Sequence, residues 1–368
     1  MRIALLIGSE NAGGSENQMR LLARGLQAAG HEVTVIFTDH HHCRFQRNPA
    51  SVLDFSGIDN IKLSMRRFYR LFYKPYGKLR IKLKNFDIAM ACGAHNSYIM
   101  CELFKNSRTK MICRLSDLIF TDNSSISAKT KTAAALSQVH AVVSNAQIAL
   151  TEAENMQLLA PELYRKVIRN AVVCPDKINE VQADRFHVIF VGRLQKIKDP
   201  MTLLKAMKLA KKEIPHLTGE FVGSGVLFEE MQNYITEQGL ADFIKLSGFI
   251  QQQQIPYPTA DLLVNSSQSE LSSGAIAEAL YRGIPVVASN VGGNPELLAD
   301  QAFGALFPAG DAEACAAEII KFARKTPQER QQLASRARAF AEENFSIESF
   351  SKNYIAFFKR VLSGKRLE

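Results

Sequence analysis

Met1-Arg2-Ile3-Ala4-Leu5-Leu6-Ile7-Gly8 opens the chain, followed within a few residues by Gly13-Gly14-Ser15-Glu16. Met19, Leu21, Leu22 and Leu26 then recur at helical spacing, and Gly30-His31-Glu32 leads into the β-branched run Val33-Thr34-Val35-Ile36-Phe37. That order is strand, glycine turn, helix, strand, the repeating unit of a parallel sheet covered by helices. Alternating βα patterns return at Phe86–Ala91, Lys110–Arg114 and Ala141–Ser144, so the N-terminal half reads as α/β.

The pattern dissolves into polar residues at Asp176-Lys177-Ile178-Asn179-Glu180 and restarts with Phe186-His187-Val188-Ile189-Phe190-Val191-Gly192-Arg193. A second strand-to-loop start so late in the chain predicts a second domain. The spacing predicts helices over 200–212, 226–238 and 273–282, with strands over 219–222, 243–247, 261–265 and 285–288. The expected organisation is a first domain over 1–178, a second over 184–344, and a closing helix over 345–368 that packs back toward the first. The stripe Phe350, Tyr354, Phe357, Phe358 and Val361 on that helix reads as core packing.

A chain of 368 residues exceeds what one hydrophobic core usually supports. Hydrophobic residues at 46% and charged residues at 22% are the balance of a globular protein. No apolar run approaches the ~18 residues needed to cross a bilayer. Six scattered cysteines show neither a C-x-x-C pair nor a disulfide framework, which suits a reducing cytoplasm. A net charge of +9 calls for an anionic partner.

The chemistry concentrates in 261–297. Glu270 and Glu278 are separated by seven residues, with Ser273-Gly274 among them. A helix starting near Ser273 points free N–H groups and a positive dipole end toward a phosphate, and small residues there permit its approach. One carboxylate is then placed to reach a sugar carried on such a phosphate and the other a ribose diol, to which a carboxylate offers several acceptor positions. Taken alone, such a pair also fits solvated helix charges. Glu278, however, sits among Ala275, Ile276, Ala277, Ala279 and Leu280, where an unpaired carboxylate is costly, so it needs a partner.

This stretch resembles the retaining glycosyltransferases of family 4, with the GT-B fold of two Rossmann-like domains facing across a cleft. The resemblance rests on Glu270 to Glu278 and its continuation through Gly283-Ile284-Pro285-Val286-Val287-Ala288-Ser289, with Gly13-Gly14-Ser15-Glu16, Gly30-His31-Glu32-Val33 and Asn170-Ala171-Val172 earlier in the chain. It is extended by Val191-Gly192-Arg193-Leu194 with Lys198, Gly223-Ser224-Gly225 and Leu246-Ser247-Gly248. It implies a UDP or GDP type sugar donor, no cofactor, and Arg193 and Lys198 neutralising the leaving diphosphate. Glu270 faces the sugar, while Gly192, Ser273, Gly274 and Glu278 bind the donor. Gly13 and Gly14 bring first-domain amides to the same diphosphate, although a plain tight turn also explains them. Absence of a D-x-D sequence fits a metal-free diphosphate site. The family pattern departs at Leu271 and Ser272, which leaves the donor sugar open. His95 and Asp117 are candidates on the sugar or acceptor side, an ordinary loop histidine being the other reading of His95.

Between Asn60 and Phe86 stand nine Lys or Arg and no acid, interleaved with aromatics. Arg66, Arg67, Arg70 and Lys74 are thus expected to dock an anionic membrane surface, consistent with a lipid-linked saccharide acceptor and a peripheral place at the cytoplasmic face of an inner membrane. A solvated basic face is the bland alternative, and nucleic acid is not expected. The expected activity is sugar transfer in surface-polysaccharide synthesis. The rivals are a nucleotide-sugar 2-epimerase and a silent nucleotide-binding subunit.

Overall fold

The structure, a computed structural model, describes residues 1–10, 14–38, 53–63, 85–116, 126–173, 184–251, 254–298 and 302–364. Two compact units emerge: residues 1–171 together with 347–368, and residues 172–346. Gly13, Asp117 and the basic residues Arg66, Arg67, Arg70 and Lys74 lie outside the described residues.

The first unit carries a seven-stranded parallel sheet. In chain order its elements are β1 (Arg2–Ile7), α1 (Gly14–Ala28), β2 (Glu32–Phe37), β3 (Asp59–Lys62), β4 (Ile88–Cys92) and α2 (Ala94–Phe104). They continue with β5 (Lys110–Leu115), α3 (Ile126–Leu136), β6 (Ala141–Ser144), α4 (Gln147–Asn155) and β7 (Tyr164–Val167). The strand order is β3-β2-β1-β4-β5-β6-β7. Ile3 through Ile7 are at most 1% exposed, so β1 is buried on both faces, as a continuous apolar run in a parallel sheet demands.

The chain's last helix also belongs to this unit. Its residues Phe350, Tyr354, Phe357, Phe358 and Val361 join the core formed by Ile3, Leu5 and Leu22. Helix α1 approaches it so closely that a Cβ on Gly25 would fall 1.9 Å from Ser351 Oγ. Arg114 on β5 is 1% exposed and donates to Tyr354 Oη at 3.1 Å, Asn170 Oδ1 at 2.6 Å and Cys92 Sγ at 3.2 Å. One buried guanidinium therefore joins strands β4 and β5, the end of the first stretch of this unit and the terminal helix.

The second unit repeats the plan: β8 (Phe186–Val191), α5 (Pro200–Lys211), β9 (Leu217–Val222), α6 (Phe228–Glu237), β10 (Ile244–Gly248), β11 (Leu262–Asn265) and α7 (Gly274–Tyr281). After these come β12 (Val286–Ser289), α8 (Asn294–Leu298), β13 (Gly304–Phe307), α9 (Ala312–Ala323) and α10 (Pro327–Phe345), and the terminal helix is α11 (Ile347–Ser363). The order here is β10-β9-β8-β11-β12-β13, and all the pairings are parallel. Thr326 and Glu329 form a capping box at the start of α10, which lays Arg330 onto Asp261 at 3.1 Å. Helices α9 and α10 and strands β3, β7 and β13 go beyond the elements expected from sequence patterning.

On the β8-β9-β10 side of this sheet, Glu220 is 7% exposed and gathers three partners. Lys245 Nζ lies at 2.9 Å, His187 Nε2 at 3.8 Å, and the Ser247 hydroxyl donates to it. The His187 imidazole beside it, followed by the hydrogen bonds from Ser247 and Lys245, holds the carboxyl at about 2 against 4.5 for an ordinary glutamate, burial opposing.

Candidate functional site

In a doubly wound sheet, ligands bind beyond the carboxyl ends of the strands where the strand order reverses. In the second unit that switch falls between β8 and β11, since β8 leads on to β9 on one side while β11 lies on the other. Gly192, Arg193 and Lys198 follow β8, and Ser267, Glu270, Ser273 and Gly274 follow β11. In the first unit the switch lies between β1 and β4. Gly14 opens the helix after β1, and His95 sits exposed in the first turn after β4. Sequence-predicted candidates thus sit at the switch point of each sheet.

Lys198 Nζ forms an ion pair with Glu270 Oε2, the two side chains being 22% and 10% exposed. The backbone is built to hold this pair. Lys198 ends a 3-10 turn, Lys196–Lys198, which is stopped by Asp199 in the left-handed region at φ 41°. Asp199 then caps α5, its carboxylate accepting from Thr202 N and Oγ1 at 3.2 and 2.7 Å, with Pro200 at the first helical position. Ser266 Oγ donates to the Asp199 carbonyl at 2.7 Å, and Gln268 N to the Ile197 carbonyl at 2.8 Å, so the β8 and β11 loops are stitched together.

Glu270 is fixed from behind by the Gly292-Gly293 turn after β12. Gly293 N donates to the Glu270 carbonyl at 3.0 Å. Gly292, at φ 54°, lies so close that a Cβ there would stand 1.6 Å from the Glu270 carbonyl oxygen. A glycine at 292 is needed for that approach, the same reason that Gly223 packs its Cα against the Gly192 carbonyl, 1.8 Å from where a Cβ would stand. Arg193 is exposed, and its guanidinium has no partner among the described residues.

Ser273 caps α7, its hydroxyl accepting from Ile276 N at 3.4 Å and from Asn265 Nδ2 at 3.1 Å. Gly274 is exposed, with nothing within 4 Å of an added Cβ, which leaves room for a ligand at this helix start. Glu278, one turn further on, is half-buried, and Arg282, whose guanidinium stands 4.6 Å from the Tyr257 ring centroid, donates to its carbonyl at 3.1 Å. Sequence patterning singled out neither of these, nor Asp199 and Gln268. Sequence separation was a barrier only for Gln268, which reaches Asp199 Oδ2 at 2.5 Å from 69 residues away. Asp199 before Pro200 was visible as an N-cap signal.

Burial pushes the Cys101 thiol up to about 11 and the Cys113 thiol to about 12, so both stay protonated. Among the described residues no cluster of three or more His, Cys, Asp or Glu could hold a metal ion, and no described helix is long and apolar enough to cross a membrane.

Two doubly wound units with these switch points define the GT-B class of fold. The chain superposes on Anabaena HepE in complex with UDP with a TM-score of 0.78 at 21% identity, over 98% of this chain and 100% of that one, a likeness of fold. Residues 176–340 match the model of the family Glycosyl transferases group 1. Spore coat protein SA of Bacillus subtilis is 30% identical over 182 residues, 47% of this chain and 48% of that protein. The amylovoran biosynthesis glycosyltransferase AmsK of Erwinia amylovora is 29% identical over 186 residues, 47% of this chain and 46% of the relative. The chain thus spans about half the length of the curated relatives it matches.

Proposed function

We propose that this protein is a glycosyltransferase that takes a hexose-type unit from a UDP or GDP sugar, with retention and without a metal ion, and passes it to a saccharide acceptor. The observation that carries this reading is the Lys198–Glu270 pair, held at the β8/β11 switch point beside the α7 helix start and the exposed Arg193. Lys198 has three N–H donors, and Glu270 engages it without exhausting them. With Arg193 it supplies the positive charge that a departing diphosphate needs, and fixed charges stabilise developing charge without reorganising. Glu270, anchored through its backbone to Gly293, meets the sugar, and Gly192, Ser273 and Gly274 let phosphate oxygens approach backbone N–H groups. Gly13, Gly14 and His95 would serve the donor and Asp117 the acceptor from the first unit.

Arg193→Ala and Lys198→Ala are each expected to lower kcat/KM by about 100- to 1000-fold, in EDTA-containing buffer, with the melting temperature unchanged. Rates near wild type in both variants would refute the assignment, and activity that needs added Mg²⁺ or Mn²⁺ would refute its metal-free form.

The acceptor we assign is lipid-linked, in surface-polysaccharide synthesis at the cytoplasmic face of a membrane. The amylovoran relative and the acid-free basic stretch between Asn60 and Phe86 support this reading. Replacing Arg66, Arg67, Arg70 and Lys74 by Ser should abolish salt-sensitive co-sedimentation with anionic vesicles and spare nucleotide binding. Undiminished vesicle binding by the four-fold variant would leave that stretch an ordinary solvated face.

A further inference from the structure

Gln268 stands exposed in the loop after β11, two residues before Glu270, and both its backbone and its side chain are directed at the loop after β8. Its backbone N–H donates to the Ile197 carbonyl at 2.8 Å, and its Nε2 donates to Asp199 Oδ2 at 2.5 Å. Those acceptors belong to the two neighbours of Lys198 in the sequence, so one residue grips the chain just before Lys198 and just after it. The buried Ser266 hydroxyl adds to this grip, pointing at the Asp199 carbonyl at 2.7 Å and the Lys198 carbonyl at 3.3 Å. Lys198 Nζ in turn meets Glu270 Oε2, which also accepts from Ser267 Oγ at 3.4 Å. A ring results, running from Lys198 to Glu270 through side chains, along the backbone to Gln268, and through Asp199 back to Lys198.

Asp199 is the strained member of that ring, at φ 41° and ψ 55° in the left-handed region that side chains seldom adopt. Capping α5 through Thr202 explains why an acceptor stands there. It does not explain why a donor arrives from an exposed residue 69 positions away. Ordering a glutamine side chain at the surface costs rotamer entropy, which a hydrogen bond to a charged carboxylate offsets. The gain falls on Lys198. A lysine ammonium is a point charge on a flexible stem, so its position is only as definite as the backbone that carries it. Charge that stabilises a transition state has to be in place before the reaction.

We propose that Gln268 and Asp199 are positioning residues that clamp the backbone on both sides of Lys198 and so hold its ammonium beside Glu270, where the departing diphosphate gathers charge. The proposal rests on the donor-site reading above. Its polarity is definite: the residue at 268 donates and the residue at 199 accepts.

The test is steady-state release of UDP or GDP by the full chain from a panel of UDP-hexoses and GDP-hexoses. Gln268→Glu sets a carboxylate against the Asp199 carboxylate. It should lower kcat about 10- to 100-fold with KM within about threefold, because a misplacement of about 1 Å in reacting geometry costs about 100-fold. In an Asp199→Asn background the side chain at 199 can donate, so Gln268→Glu re-forms the pair with reversed polarity and should cost less than about threefold. Asparagine keeps both the cap and the left-handed conformation, and Gln268 is exposed, so these variants should fold with melting temperatures near wild type. In a Lys198→Ala background Gln268→Glu should have no further effect. An equal cost in the Asp199 and Asp199→Asn backgrounds would overturn the proposal, as would a loss that follows the melting temperature alone. Wild-type kcat in Gln268→Glu beside an impaired Lys198→Ala would remove the clamp and leave the donor-site reading standing. Full rates in Lys198→Ala, or no release by the wild type from any sugar of the panel, would remove that reading and the inference together.

Discussion

Replacing Gly292 by alanine probes how Glu270 is held. The added Cβ would stand 1.6 Å from the Glu270 carbonyl oxygen and 2.8 Å from its carbonyl carbon, against an ordinary contact of roughly 3.5 Å. Neither atom can yield alone. The carbonyl oxygen accepts from Gly293 N at 3.0 Å, and Gly292 itself sits at φ 54°, where alanine costs about 1–2 kcal/mol. The strands carrying the two loops, β11 and β12, are paired in register and cannot spread cheaply. Relief therefore has to come from a shift of more than an ångström between the Gly292 turn and the Glu270 backbone. Strain and lost hydrogen bonding together should destabilise the second unit by about 2–4 kcal/mol, lowering its melting temperature by roughly 4–16 °C. The same shift carries Glu270 away from Lys198, and a misplacement of about 1 Å in reacting geometry costs about 100-fold in rate. Sugar transfer is measured at a temperature where circular dichroism shows the variant fully folded. A folded Gly292→Ala protein with kcat/KM within about threefold of wild type would show that the glycine turn does not position Glu270.

Two further expectations concern stability. Glu220 has its carboxyl at about 2 in the folded protein and 4.5 as the ordinary value. A depressed folded value means that its contribution is fully present above pH 4.5 and is lost as pH falls toward 2; Glu220→Gln should flatten that acid limb by a few kcal/mol, and an unchanged denaturation profile between pH 5 and 2 would contradict this. Tyr354→Phe removes the oxygen that accepts from the buried Arg114 guanidinium at 3.1 Å, and should cost about 2 kcal/mol with faster hydrogen exchange in α11; exchange at the wild-type rate would show that the helix docks without that bond.

What sequence patterning revealed, and what it left hidden, follows from the range of the interactions. The opening strand, turn, helix and strand are local: Ile3–Ile7 read as buried because every side chain in the run is apolar, and the structure buries them all. The first strand of the second unit was equally visible, because polar residues precede Phe186 and a glycine follows Val191. Glu270 and Glu278 stood out through their spacing, yet nothing in that spacing tells the two apart. The structure does: Glu270 takes Lys198 from a loop 72 residues earlier, while Glu278 carries an arginine on its own carbonyl.

Arg114 marks the opposite limit. In Lys110–Leu115 it reads as an ordinary strand residue, and its partner Tyr354 lies 240 residues away. The Tyr354 hydroxyl, set on an otherwise apolar stripe with Phe350, Phe357, Phe358 and Val361, is invisible as a functional group until β5 is placed against it. A buried guanidinium needs hydrogen-bond acceptors to offset its lost hydration, and here they come from β4, from Asn170 and from α11. The chain leaves the first unit just after Asn170, at 171–172, and rejoins it at 346–347, one residue before α11 gets under way. Val172 N donates to the Phe345 carbonyl at 2.8 Å, so on the second unit's side the two crossings run side by side. Gln18 of α1 clamps Ala171 through both its amide groups, each at 2.8 Å. The helix that begins at the glycine turn after β1 is therefore tied to the crossing by a side chain one turn along it, and the terminal helix is tied beside it through Arg114. Closing the chain through these two short crossings is what makes a helix from the far end of the sequence part of the first unit's core.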